Sequence, residues 1–243
     1  MIASPAIYAP PRDSSHDWAY LDESLLVVNK PAGLLAVPGR GAGMLDCLST
    51  RIQQIFPDAI GVHRLDMSTS GLMVFARGVE MHRRLSRMFR ERQVHKRYVA
   101  VVAGLMEDIK GEVELPLAAD WPNRPCQKVD EAAGKPSLTR YRVLEYKESV
   151  RPELIEGPAV DCVMGFDKLS PNGLVDVTRV ELEPVTGRTH QLRVHMSAIG
   201  HPIIGDALYG GRVAERLMLH AFRLSFVHPL SAVPLVLESV APF

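Results

Sequence analysis

Apolar residues in this chain come in short runs of strand length, punctuated by turn residues, with two longer stretches of helical spacing. Leu25-Leu26-Val27-Val28 leads into Asn29-Lys30 and is stopped by Pro31-Ala32-Gly33, which predicts a strand ended by a turn. Leu45, Leu48, Ile52 and Ile55 share the face of a helix that Pro57 stops. Leu72 to Ala76 follows Gly71 as a second strand. Val79 to Gln93 is helical, with Leu85, Met88 and Phe89 as its apolar stripe. Arg97 to Ala103 predicts a strand whose alternation sets Tyr98, Ala100 and Val102 on one side and Arg97, Val99 and Val101 on the other. The region 120–134 reads as a long irregular loop. Leu138 to Tyr146 and Leu174 to Leu182 alternate as strands, and 147–173 between them reads as an inserted loop or extended hairpin. Gln191 to His195 fits a strand or a short helix. Leu217 to Leu224 and Val233 to Leu237 close the chain as strands. Strands dominate, so an α+β fold is expected, with a mixed, mainly antiparallel central sheet flanked by helices and loops.

Composition narrows this. The 243 residues fit one large domain or two small ones, and 47% apolar content supplies a sizeable core. Residues 1–17, with Pro5, Pro10 and Pro11, read as a flexible lead-in to a single domain over 18–243. No apolar run approaches a membrane span and no charged-then-apolar leader opens the chain, so a cytoplasmic protein without membrane attachment is expected. Cys47, Cys126 and Cys162 lack the spacing of zinc ribbons or disulfide frameworks. Formal net charge is zero. It is a cancellation: Arg83 to Arg97 holds seven basic residues against Glu91 alone, whereas Glu145 to Glu183 holds nine acids against four bases. A local excess of this kind can hold phosphates while the acidic region faces away.

The candidate chemistry centres on His63-Arg64-Leu65-Asp66-Met67-Ser68-Thr69-Ser70-Gly71, a polar loop at the mouth of a strand. Such a loop is where a rigid scaffold presents a catalytic carboxylate; Asp66 could equally cap its own turn. His190, His195 and His201 raise a second reading, a metal-dependent hydrolase, although their spacings fit no common zinc motif.

The segment His63 to Gly71 resembles the signature of the RluA-type pseudouridine synthases, and further blocks of that family follow in order. They are Asn29-Lys30-Pro31-Ala32-Gly33, Lys96-Arg97-Tyr98-Val99-Ala100, Gly187-Arg188-Thr189-His190-Gln191-Leu192-Arg193 and Leu217-Met218-Leu219-His220-Ala221. Val37-Pro38-Gly39-Arg40 and Asp120-Trp121-Pro122-Asn123-Arg124-Pro125 resemble the compact branch acting on large-subunit rRNA and tRNA. The resemblance implies the fold above and isomerisation of uridine in an RNA stem-loop by a monomer, without cofactor or metal. It assigns the catalytic carboxylate to Asp66, a charge partner to Arg188, uracil stacking to Tyr98, insertion at the flipped base to Arg64, and an apolar pocket wall to Leu219. Arg83, Arg84, Arg87, Arg90 and Lys96 would hold RNA phosphates. Each has a plainer alternative: a loop arginine, a packed strand aromatic, a core leucine, a solvated helix face. A non-catalytic RNA-binding protein on the same fold is the competing function.

Overall fold

The computed structural model describes residues 8–12, 17–41, 43–150, 175–211 and 214–243. Most of the expected lead-in (1–17) and of the expected insertion (147–173) lies outside them. In chain order the elements are β1 (Trp18–Leu21), β2 (Leu25–Lys30), α1 (Leu48–Ile55), β3 (Ala59–Gly61), β4 (Ser70–Arg77), α2 (Gly78–Arg90) and β5 (His95–Ala103). Then come β6 (Lys110–Glu114), β7 (Leu117–Ala119), β8 (Gln127–Val129), β9 (Leu138–Val150), β10 (Val175–Pro184), α3 (Gln191–Ala198), β11 (Leu219–Val227) and β12 (Pro234–Glu238). They fall into two compact units. The first runs to Val94 and takes in Arg223–Val240; the second comprises His95–Phe222 and Ala241–Phe243.

In the first unit β2 lies between β1 and β4, antiparallel to both, with Val27 opposite Val74 and Lys30 opposite Gly71. The residues of β4 are almost all buried, which is why it reads as a continuous apolar run and not as an alternation. Leu25, Val27, Leu72, Val74, Leu85 and Phe226 form its core. The turn between β1 and β2 is held by Asp22, which accepts the amides of Ser24 (2.7 Å) and Leu25 (2.8 Å) and the hydroxyls of Ser24 and Tyr20. Burial alone would push this carboxyl up; those hydrogen bonds outweigh it and bring it down to about 2.

In the second unit β10 lies between β5 and β9, and β6 follows on β9, all antiparallel. Ala100, Val102, Val180, Leu182, Leu192, Met196 and Leu219 make the core, with Tyr98 packed against it. The alternation expected of β5 is therefore present. The region expected as an irregular loop, 120–134, differs: β7 and β8 pair as a small hairpin across it. Asp120 N–H bonds to the Cys126 carbonyl (3.0 Å) and Cys126 N–H to that of Asn123 (2.9 Å). Three-residue strands are too short for periodicity to show.

His195, in α3, is fully buried. The Ser137 hydroxyl donates to the Leu115 carbonyl (2.6 Å), so His195 Nε2–H donates to Ser137 Oγ (2.9 Å). Its Nδ1 has no hydrogen-bond partner among the described residues, and burial pushes the imidazole below its usual value. The unfolded chain binds this proton near pH 6.5 and the folded chain only at lower pH. Stability therefore falls on acidification below about 6.5, by at most about 1.4 kcal/mol per pH unit. In urea titrations His195→Gln is expected to flatten that part of the midpoint–pH curve; an unchanged slope would assign it to another group.

Candidate active site

Two loops, one in each unit, carry Asp66 with Arg64 and, separately, Arg188; the other candidates lie on α2, β5 and β11. In the first unit, Asp66 follows β3 and precedes β4. It is half-buried, while Arg64 is exposed. The loop is tied down from beneath by Lys30, whose side chain has no exposed surface. Its ammonium donates to the carbonyls of Leu34 (2.7 Å), Pro31 (2.8 Å) and Met67 (3.0 Å). The Met67 carbonyl also accepts Gly33 N–H (2.9 Å), and that of Asp66 accepts Thr69 N–H (3.1 Å). On the other side of Asp66, His63 Nε2 accepts the Val74 amide (3.1 Å), and its ring stacks on Phe89 of α2 at 4.7 Å. Backbone on both sides of the carboxylate is thus anchored to β2, β4 and α2.

The same unit presents the arginines of α2 on an exposed surface with Glu80 and His82. They are less available than their number suggests. Arg84 pairs with Glu80 (3.1 Å), Arg83 approaches Glu80 (3.8 Å), and Arg87 pairs with Glu91 (3.1 Å). Arg90 has no acidic partner among the described residues. Exposed pairs at this spacing contribute only about 0.3–0.5 kcal/mol each, so phosphates can displace them at little cost.

In the second unit, the Arg188 loop is organised by Gln191, which is 3% exposed. Its amide oxygen accepts Arg188 N–H (3.0 Å) and the Thr186 hydroxyl (2.7 Å). Its amide nitrogen donates to the Leu138 carbonyl (2.9 Å) and Thr139 Oγ1 (3.0 Å). The Arg188 side chain is exposed and donates Nε–H to the Pro136 carbonyl (3.2 Å). His190, with φ of 53°, caps the start of α3, and its Nδ1 lies 2.6 Å from the Tyr209 hydroxyl. Tyr209 Oη accepts Gln127 N–H (2.8 Å).

Lys96 belongs with this loop and not with the α2 arginines. It is half-buried on β5, and a Cβ placed on Gly187 would lie 3.7 Å from its ammonium. Burial pushes its pKa down. Neighbouring Arg97 pairs with Glu181 (3.1 Å). Tyr98 is half-buried at the edge of the core, and Leu219, 3% exposed, is fully within it.

Lys30, His63, Gln191 and Tyr209 received no individual role from the sequence. A lysine closing an otherwise apolar strand run was the available signal for Lys30; nothing local distinguishes Gln191. The histidines of the metal reading serve separate purposes: His190 meets Tyr209, His195 meets Ser137, and His201 Nδ1 lies 2.9 Å from the Ala103 carbonyl. Among the described residues no three metal-ligating side chains converge. Asp22, His228 and Ser24 do meet in the first unit. There His228 turns the same Nε2 to both Asp22 and Ser24 (3.0 Å each), while its Nδ1 accepts the amides of Leu230 and Ser231. That geometry clamps a turn and leaves no base to activate the serine.

Comparison with known proteins adds the following. Residues 24–198 match the family described as RNA pseudouridylate synthase. The dual-specificity RNA pseudouridine synthase RluA of Vibrio cholerae is 46% identical over 228 residues, covering 92% of this chain and 82% of that protein. RluA of Escherichia coli is 44% identical over 240 residues, covering 97% and 98%. Among solved structures, human RNA pseudouridylate synthase domain containing 1 superposes with a TM-score of 0.72 at 30% identity, covering 97% of this chain and 87% of that one. The α+β expectation, with a mainly antiparallel sheet and few helices, holds.

Lys30→Met removes the ammonium that donates to three carbonyls, of which Met67 keeps the Gly33 amide. A loss of about 3 kcal/mol in urea denaturation is expected, with faster hydrogen exchange at the Gly33 and Thr69 amides. Wild-type protection at those amides would show that Lys30 does not hold the loop.

Proposed function

We propose, from the premise that this chain belongs to the RNA pseudouridylate synthase family and is therefore an isomerase acting on RNA, that it converts uridine to pseudouridine in a stem-loop of large-subunit rRNA, tRNA or both, as a monomer, with Asp66 as the catalytic carboxylate. The supporting observation is the anchoring of the Asp66 loop: Lys30, His63 and Gly33 fix the backbone around one half-buried acid. Such preorganisation is what positioning a carboxylate against a sugar carbon requires. The relatives at 44–46% identity carry the name dual-specificity RNA pseudouridine synthase, which accords with action on more than one RNA site.

The reaction breaks the C1′–N1 bond, turns the uracil and forms a C1′–C5 bond. C5 loses its proton, N1 takes one up, and no electrons are gained or lost. An ionised Asp66 can serve by bonding to C1′ as the C1′–N1 bond breaks, or by taking a proton from C2′. Tyr98 offers its ring to the uracil, Arg188 a positive charge and Leu219 an apolar wall. Extrusion of the uridine costs a few kcal/mol. Arg64, exposed beside the catalytic acid, fills the gap with a guanidinium plane. Arg83, Arg84, Arg87 and Arg90 take backbone phosphates, and the half-buried Lys96 takes one close to the Arg188 loop.

Tritium release from RNA labelled at uracil C5 tests the reading, with unmodified tRNA and large-subunit rRNA assayed separately. Release is expected from at least one, and Asp66→Asn should abolish it while RNA binding persists. Undiminished release by the variant would remove Asp66 from the chemistry, and stoichiometric binding without release by the wild type would favour a non-catalytic RNA-binding protein. Affinity should also fall as salt rises, and the slope of log K against log salt should become shallower by about one to two in Arg83→Ala/Arg90→Ala. An unaltered slope would place the phosphates elsewhere.

A further inference from the structure

Trp121 is 68% exposed, unusual for the side chain with the largest apolar surface. It stands at the tip of the β7–β8 hairpin, and the Arg124 guanidinium lies over its ring at 3.6 Å from the centroid. Arg124 has no acidic partner among the described residues. The nearest acid in sequence, Asp120, accepts the Asn123 side-chain amide (2.9 Å), and Lys128 pairs with Asp130 (3.3 Å). The tip is stiff: the hydrogen bonds joining Asp120, Asn123 and Cys126 close it, and buried Cys126 roots it. It is also braced to the Arg188 loop. Gln127 N–H donates to Tyr209 Oη, which meets His190 Nδ1, two residues beyond Arg188.

A flat aromatic face, a guanidinium stacked on it and a rigid mount linked to the Arg188 loop together suit one ligand chemistry. Unpaired bases stack on aromatic and guanidinium planes, and the phosphate beside such a base accepts from the arginine. Paired bases inside a duplex expose no such face. We propose that the Trp121–Arg124 pair is a stacking platform for an unpaired base of the RNA, separate from the uridine that reacts. This subsite rests on the RNA-isomerase reading above and extends it to recognition of the loop around the target.

Trp18 and Trp121 are the two tryptophans, and Trp18 sits edge-on against Phe56 in the first unit. In a Trp18→Phe background Trp121 is the sole indole emitter. Its fluorescence should be quenched saturably by a short RNA stem closed with an unpaired loop, and left unchanged by the same stem as a blunt duplex. Trp121→Leu should weaken stem-loop binding by about 5- to 100-fold, whereas Trp121→Phe should restore most of it. Arg124→Lys, keeping the charge and losing the plane, should fall between wild type and Trp121→Leu. Binding followed independently through labelled RNA keeps the outcomes distinct. Saturation by the stem-loop without quenching, equal quenching by the duplex, or wild-type affinity in Trp121→Leu would each overturn the platform. Tritium release by the wild type, measured in parallel, reports on the isomerase reading by itself: release without quenching sinks the platform alone, and absence of release sinks the function.

Discussion

A single buried ammonium organises the part of this protein on which the proposed chemistry depends. Lys30 is sealed from water, and a charge in that position is tolerated only when its donors are satisfied. Three carbonyls do so, two from the turn after β2 and one from Met67. Since Met67 follows Asp66 directly, the electrostatic requirement of the lysine becomes a geometric constraint on the acid. The loop cannot shift without stripping a buried cation of an acceptor. His63 and Gly33 reinforce the arrangement, but neither carries a comparable penalty for release.

The second unit reaches the same end with a neutral group. Gln191 uses both lone-pair directions of its oxygen and both hydrogens of its nitrogen, and Arg188 N–H is one of its four partners. Each unit thus fixes its functional loop by one buried polar side chain whose hydrogen-bonding capacity is used within the protein. Such side chains lose heavily if the loop moves, because low dielectric makes an orphaned polar group expensive. The two loops are accordingly rigid for different reasons, charge in one case and saturation of an amide in the other.

Much of this was legible in the sequence, and the failures have physical causes. The strands β2, β4, β5 and β9 and the helix α2 are long enough, and apolar enough on one or both faces, for their period to show. The helix α3 was ambiguous because Gln191, Arg193 and His195 are buried along with Leu192, Val194 and Met196, which erases the polar face that marks a surface helix. Arg193 is there because it pairs with buried Asp206 at 2.7 Å, a long-range partner that no local pattern announces. The β7–β8 hairpin was missed because its strands are three residues each. Asp66, Tyr98 and Arg188 came from family resemblance, not from periodicity. Lys30 and Gln191, which hold the loops, were hidden because lysine and glutamine read as solvent-facing wherever their partners are distant carbonyls.

The chain of bonds from Gln127 through Tyr209 to His190 has a consequence for observation. The Tyr209 oxygen that accepts the Gln127 amide also lies 2.6 Å from His190 Nδ1, so backbone and imidazole share one phenol oxygen. The imidazole next to the Arg188 loop is thereby coupled, through one hydroxyl, to a backbone group of the hairpin. Imidazole nitrogen resonances differ widely between tautomers, so one isotope-labelled histidine becomes a remote gauge of whether the hairpin is seated.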